Sequence, residues 1–225
     1  MNNHIKLIEL EEADSLKNDE EANELRTQLK DMGIFMLNVM GAPGSGKTEL
    51  IHRTVPYLSN EYRVGCLCTD LDTTNDAYRL SEVCSHIIQF HTGGMWPYVA
   101  AEGSRLGLME MIAEDVNVAI LENLGVLISA AAWDTGATMN IVVLSAADGS
   151  DVPLKYPYMF AICDAVIVTG MDFANMTGFD LNRCHASLRS INESAPIFPV
   201  SSRTGQGIGE WSAWLMHRIR LYNVM

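Results

Sequence analysis

Positive charge is what this sequence holds least of for its size. Its 15 Lys and Arg stand against 28 Asp and Glu, a formal net charge of −13. A nucleic-acid binder neutralises phosphates along a basic stripe, and no such stripe runs here, so no nucleic-acid partner is expected. The same imbalance argues against docking on an anionic membrane. Long apolar runs are missing too: none approaches the about 20 residues that cross a bilayer. Residues 1–20 are polar and acidic, unlike a secretory leader. Cysteine is sparse, with five at irregular spacing, an odd count that predicts reduced thiols in a cytoplasmic protein rather than a disulfide framework. Repeats, low-complexity tracts and linkers are absent as well.

What remains is a globular composition, 48% hydrophobic and 19% charged over 225 residues, enough to bury a full core. The most informative stretch is Gly41-Ala42-Pro43-Gly44-Ser45-Gly46-Lys47-Thr48. An apolar run, Ile34 to Val39, precedes it, and Glu49-Leu50-Ile51-His52-Arg53 follows in helical pattern. Strand, glycine loop and helix in that order is the context that gives G-x-x-x-x-G-K-[ST] its meaning. The glycines let backbone N–H groups turn inward on phosphate oxygens, and the helix start adds its positive dipole end. Lys47 is placed to reach the β- and γ-phosphates and Thr48 to ligate Mg²⁺. Residues Gly41 through Thr48, with Glu49 beside them, are the candidate phosphate-binding set for a nucleoside triphosphate.

Strands and helices alternate from there on. Strands are expected over 63–68, 86–90, 117–121, 139–145, 165–169 and 197–200. Helices are expected over 72–84, from Pro97 to about 113, over 179–192 and over 208–221. Near the N-terminus, residues 1–17 read as a short extension or first strand. Asn18, three residues before Glu21, reads as the cap of a helix carrying Ala22, Leu25, Leu29 and Met32, with Gly33 past its end. The rhythm predicts an α/β fold: a P-loop NTPase with a mostly parallel, doubly wound sheet. Residues 1–33 form an N-terminal extension and helix, and 34–225 the nucleotide domain.

A phosphate loop needs partners at the carboxyl ends of the core strands, where such sheets open onto their ligand crevice. Glu122, ending Val118-Ala119-Ile120-Leu121, either holds Mg²⁺ or polarises the attacking water. Asp70 is a second candidate on the metal side, with capping of a helix as its plainer role. Asp172 stands three residues after a strand end, and Ser201-Ser202-Arg203 follows the last strand. In GTP-binding proteins these positions read guanine. The usual Asn-Lys-x-Asp is here Thr169-Gly170-Met171-Asp172, so the residue that braces the loop and the one that covers the base are both replaced. GTP is the expected nucleotide, with ATP as the alternative.

Taken together these motifs resemble the hydrogenase nickel-incorporation GTPases, the HypB family, which are kin of the urease accessory GTPases. The likeness runs from about Leu25 to Leu215. It includes Asp70-Leu71-Asp72-Thr73-Thr74-Asn75-Asp76-Ala77, Glu122-Asn123-Leu124-Gly125 and Leu154-Lys155-Tyr156-Pro157-Tyr158-Met159-Phe160. It ends in Ser201-Ser202-Arg203-Thr204-Gly205-Gln206-Gly207 followed by Trp211 and Trp214-Leu215. The resemblance implies a slow GTPase using GTP/GDP and Mg²⁺. It also implies a nucleotide-coupled homodimer that helps insert nickel, beside a small zinc-containing partner, into a nickel-enzyme client.

The chain departs from that family where the family holds metal. Trp96 and Pro97 stand at its Cys-His pair, and Ser129 at its other cysteine. None of these three is a good ligand for nickel or zinc. Cys66 and Cys68 alternate on one strand and supply at most two ligands; small buried hydrophobes are their expected role. Trp96 either fills a dimer seam or packs on its own helix. Arg79 and Arg105 are candidates for a catalytic arginine by charge alone. A second reading therefore stands beside the first: a nucleotide-dependent assembly or regulatory protein that carries no metal itself.

Overall fold

The computed structural model describes residues 6–9, 15–70, 74–91, 99–125 and 129–224. Among the described residues eight strands form one sheet: β1 (Lys6–Glu9), β2 (Phe35–Gly41), β3 (Val64–Asp70), β4 (His86–His91), β5 (Val118–Glu122), β6 (Met139–Ser145), β7 (Ala165–Thr169) and β8 (Ile197–Pro199). Their order is β1-β4-β3-β5-β2-β6-β7-β8, and every pairing is parallel. This is the doubly wound sheet that the alternation predicts.

The central strands are apolar on both sides because both sides are covered. In β2, Phe35, Leu37 and Val39 join one buried cluster with Leu50, Val55 and Trp211. These come from α2 (Lys47–Leu58) and α10 (Ile208–Val224). Met36 faces the opposite cluster with Leu25, Leu29 and Leu108, from α1 (Ser15–Asp31) and α4 (Ala101–Ile112). A third cluster, around Val142, Val166 and Phe160, lies under α9 (Leu181–Arg189). Burying whole faces of β2 and β5 is what fixes the sheet's centre, and their carboxyl ends carry the loops of interest.

The elements expected over 139–145 and 165–169 are strands with those bounds. Among the described residues three helices are shorter than expected: α3 is Asn75–Leu80, α4 is Ala101–Ile112, and α9 is Leu181–Arg189. Gly33 does sit past α1, at φ 67°, as a left-handed terminator. Asn18 is a correction. It lies inside α1, which begins at Ser15, and is only 2% exposed. Its Nδ2 donates to the Asp134 carbonyl at 3.0 Å, and its Oδ1 accepts from the Ala101 amide at 3.0 Å. A cap residue would have bonded its own helix; this one clasps α4 instead, a partner no local pattern reveals.

The candidate nucleotide site

The glycine loop leaves β2 at the sheet's centre and turns into α2. Gly41 makes the exit: a Cβ there would stand 2.3 Å from the Val143 carbonyl of the neighbouring strand β6, so no side chain fits. Gly46, at φ 90°, precedes the first residue of α2. Lys47 and Thr48 are both 8% exposed. The Lys47 ammonium donates to the carbonyls of Gly41 at 3.0 Å and Ala42 at 3.1 Å. Burial lowers the Lys47 pKa, against the opposing pull of Glu122 and Asp76.

Glu122, the last residue of β5, meets this loop. Its Oε1 accepts from the Thr48 hydroxyl at 2.5 Å, across 74 residues of sequence. Its Oε2 is buried with no hydrogen-bond partner among the described residues. Burial pushes the Glu122 carboxyl up to about 7, with Thr48 and Lys47 pulling the other way and Asp76 adding to the rise. An orphaned carboxylate oxygen beside a threonine hydroxyl is a hard-oxygen donor set, the kind Mg²⁺ takes. Pro43, Gly44, Gly46, Lys47, Thr48 and Glu122 line a cleft of about 500 Å³, with Thr69, Asp76 and Arg79 across from them.

Two of these placements were open in the sequence. Arg79 lines the phosphate cleft and pairs with Glu49 at 2.6 Å, and Glu49 also receives Arg53. Arg105 is held on α4 by Gln28 and Glu102, elsewhere in the molecule. The Asp70 side chain, Trp96, Pro97 and the Ser129 side chain lie outside the described residues. Ser129 opens the short helix α5 (Ser129–Ala132). Cys66 and Cys68 are buried in the cluster beneath α2. Burial pushes the Cys68 thiol well above its ordinary value, and a hydrogen bond with Cys84 does the same for Cys66. Both are held as neutral thiols. Among the described residues no group of three or more His, Cys, Asp or Glu is placed to hold a metal.

On the other side of the loop, a second cleft of about 380 Å³ shares Gly44, Gly46 and Glu49 with the first. Asp172, in the single turn Met171–Phe173 after β7, lies in it with Ser202 and Arg203. The Asp172 carboxylate accepts from Ser201 Oγ at 2.7 Å and from Arg203 Nε at 2.7 Å. These two bonds, Ser201 the larger, hold its pKa below the usual carboxylate range. The structure thus brings Asp172 and the 201–203 loop together beside the phosphate loop.

Two features escaped sequence reasoning. Thr169, read as the loss of a bracing residue, braces after all: its buried hydroxyl donates to the Ser45 carbonyl at 2.6 Å. Behind Glu122, a ladder of amides crosses three strands. Asn123 donates to Asn38 at 3.1 Å, and Asn38 donates to Asn140 at 2.9 Å. Asn123 Oδ1 in turn accepts from the Leu124 amide at 2.8 Å, fixing the turn after β5. The available signal was polar Asn38 inside an otherwise apolar strand.

A sheet with this order and these loops matches a known family. The model of the "CobW/HypB/UreG, nucleotide-binding domain" matches residues 35–199, most of the chain. The chain belongs to this family. Within it, the chain is 35% identical over 210 residues to the hydrogenase maturation factor HypB of Rhizobium leguminosarum bv. viciae, covering 93% of this chain and 70% of that protein. It is 32% identical over 207 residues to the hydrogenase/urease maturation factor HypB of Helicobacter pylori, covering 91% and 85%. The chain spans between 65% and 70% of the length of three such bacterial relatives. The crystal structure of HypB from Helicobacter pylori in complex with nickel superposes with a TM-score of 0.84 at 29% identity, over 91% of this chain and 95% of that one. The CobW/HypB/UreG match takes in the phosphate loop, Glu122 and Asp172 and ends at Pro199, just before Ser201, Ser202 and Arg203.

Proposed function

We propose that this protein is a GTP-hydrolysing maturation factor. It assists nickel insertion into a metalloenzyme, hydrogenase or another nickel enzyme, in the cytoplasm. The triphosphate lies in the first cleft, on the N–H groups of the 41–48 loop, with Lys47 at the β- and γ-phosphates. Thr48 and Glu122, with Asp70, would hold the Mg²⁺ whose charge offsets that of the phosphates. The Thr48–Glu122 hydrogen bond favours this cation-side role for Glu122 over the polarising of water. Asp172 and the 201–203 loop receive guanine. Hydrolysis is slow, because the guanidinium that lines the phosphate cleft, Arg79, is engaged by Glu49.

The nucleotide state sets the work. In this reading the γ-phosphate acts on the segments that follow Asp70 and Glu122 in the chain, and through them on a homodimer that meets a small zinc-containing partner and the nickel-enzyme client. The observation that carries this reading is the meeting of Thr48 and Glu122 at the phosphate loop in a member of the CobW/HypB/UreG family. A second reading, a nucleotide-dependent assembly factor with no metal of its own, draws support from the burial of Cys66 and Cys68.

The test is genetic and biochemical together. Purified protein should release phosphate from GTP, and Lys47→Ala should lower that rate by about 100-fold or more, the scale of a lost phosphate-charge contact. Deleting the gene should lower a nickel enzyme's activity in the cell, with rescue by the wild-type chain and none by Lys47→Ala. A deletion strain whose nickel enzymes keep full activity would remove the nickel-insertion role.

A further inference from the structure

We infer that Phe173 is the aromatic wall on which the nucleotide's base stacks, and that residue 170 is glycine in order to seat that ring. The inference rests on the nucleotide reading of the site above and deepens it.

The second cleft begins at Gly44 and Gly46 of the phosphate loop and runs to Gly170, Asp172 and Phe173. A ligand whose phosphates fill the first cleft therefore extends its other end into the second. Beyond the phosphate loop and Glu49, the polar side chains lining it are Ser145, Thr169, Ser202, Arg203 and Asp172, whose carboxylate Ser201 and Arg203 hold in place. A flat, mostly apolar heterocycle with hydrogen-bonding edges is the chemistry such a slot accepts.

Phe173 ends the turn that presents Asp172, and its amide donates to the Gly170 carbonyl at 3.1 Å. That turn folds the ring back over Gly170. A Cβ at Gly170 would stand 2.2 Å from Cζ of the ring and 2.6 Å from Cε1. Gly170 also has φ 71°, in the left-handed region. A side chain at 170 and the ring at 173 cannot occupy this place together. The chain has resolved the choice in favour of the ring, which lines the cleft one residue from the carboxylate that meets the base edge. Stacking on an aromatic face is indifferent to which base is bound. Phe173 accordingly supplies affinity, while Asp172 supplies the choice of base.

The experiment measures GDP affinity by calorimetry for the wild type, Phe173→Ala, Phe173→Tyr and Gly170→Ala. A second readout is competition by Mg²⁺-tripolyphosphate, which has phosphates and no base. Loss of one stacking surface should weaken GDP binding about 10-fold in Phe173→Ala, while Phe173→Tyr stays within about twofold. Gly170→Ala, which displaces the ring, should weaken GDP like Phe173→Ala. Binding of tripolyphosphate should be the same in all four. Unchanged GDP affinity in Phe173→Ala would overturn the inference. So would a parallel loss of tripolyphosphate, which makes the ring a mere support for the phosphate loop. A wild type that binds neither GDP nor tripolyphosphate would overturn the nucleotide reading itself, a different failure.

Discussion

At the scale of single residues, burial changes the acidity of Glu122 within the phosphate cleft. In the unfolded chain its carboxyl titrates near the ordinary value of 4.5; in the folded protein it is pushed up to about 7. Between those values the folded state keeps a proton that the unfolded chain gives up. Stability therefore falls as pH rises through this window and levels off above it. The loss amounts to about 3 kcal/mol if the whole shift is expressed. Denaturant midpoints of the nucleotide-free, Mg²⁺-free protein, measured across that range, should show the decline, and Glu122→Gln should flatten it. A wild-type profile as flat as that of the variant would contradict the burial account. Glu122 was legible in the sequence because an apolar run stops at a carboxylate. Its partner was not, since Thr48 is 74 positions away and only the folded sheet makes them neighbours. Thr169 teaches the same lesson in reverse. Sequence comparison marked it as a loss, yet its hydroxyl ties β7 to Ser45.

Whole elements were readable where their residues answer to one rule. β6 and β7 are apolar runs broken only by Asn140 and by the terminal Ser145 and Thr169, and their bounds followed directly. Element ends were less readable, because competing local bonds decide them. Asp180 shows this: its side chain accepts from the amides of Asn182 and Arg183 and starts α9 later than the apolar pattern does. The Lys-Tyr-Pro segment folds as two short helices, α6 (Val152–Lys155) and α7 (Pro157–Ala161), whose Met159 and Phe160 are buried. Asn192 bonds the carbonyls of Phe160 and Cys163, so this signature is at least partly architectural. α1 makes the strongest element-scale case, since Asn18 joins it to Asp134 and Ala101. Asn18→Ala removes both bonds and leaves buried groups unpaired, a cost of about 1–3 kcal/mol. Urea unfolding should show that loss as a lower midpoint with an unchanged slope. A helix cap on the surface would instead be nearly neutral to replacement by Ser or Asp, so Asn18→Ser separates the two roles: the clasp predicts a loss there as well.

For the whole molecule, one edge of the sheet collects the chemistry. The carboxyl ends of β2, β5 and β7 bring the glycine loop, Glu122 and Asp172 together, as the all-parallel order requires. At this scale the prediction concerns assembly. Light scattering should show a dimer with a non-hydrolysable GTP analogue and a monomer with GDP. Ni²⁺ titrated into the same samples separates the two functional readings. Micromolar binding that changes with the nucleotide supports carriage of nickel by this chain; its absence, with dimerisation intact, leaves the assembly role alone. Among the described residues no helix is long and apolar enough to cross a membrane.

The sequence by itself determined the fold class and marked the glycine loop, Glu122 and Asp172 as candidates. Those depend on local periodicity and on the spacing of glycines, which a chain carries in its order of residues. Only the tertiary structure decided that Asn18 is a clasp and that Thr169 is a brace. It alone set Glu122 against Thr48 and put the Phe173 ring where a side chain at residue 170 would lie. Each of these is a contact between segments that parallel pairing brings together across the sheet or that a turn folds back on itself. Such contacts follow from burial and steric exclusion, which act between neighbours in space and leave little trace in the neighbours along the chain.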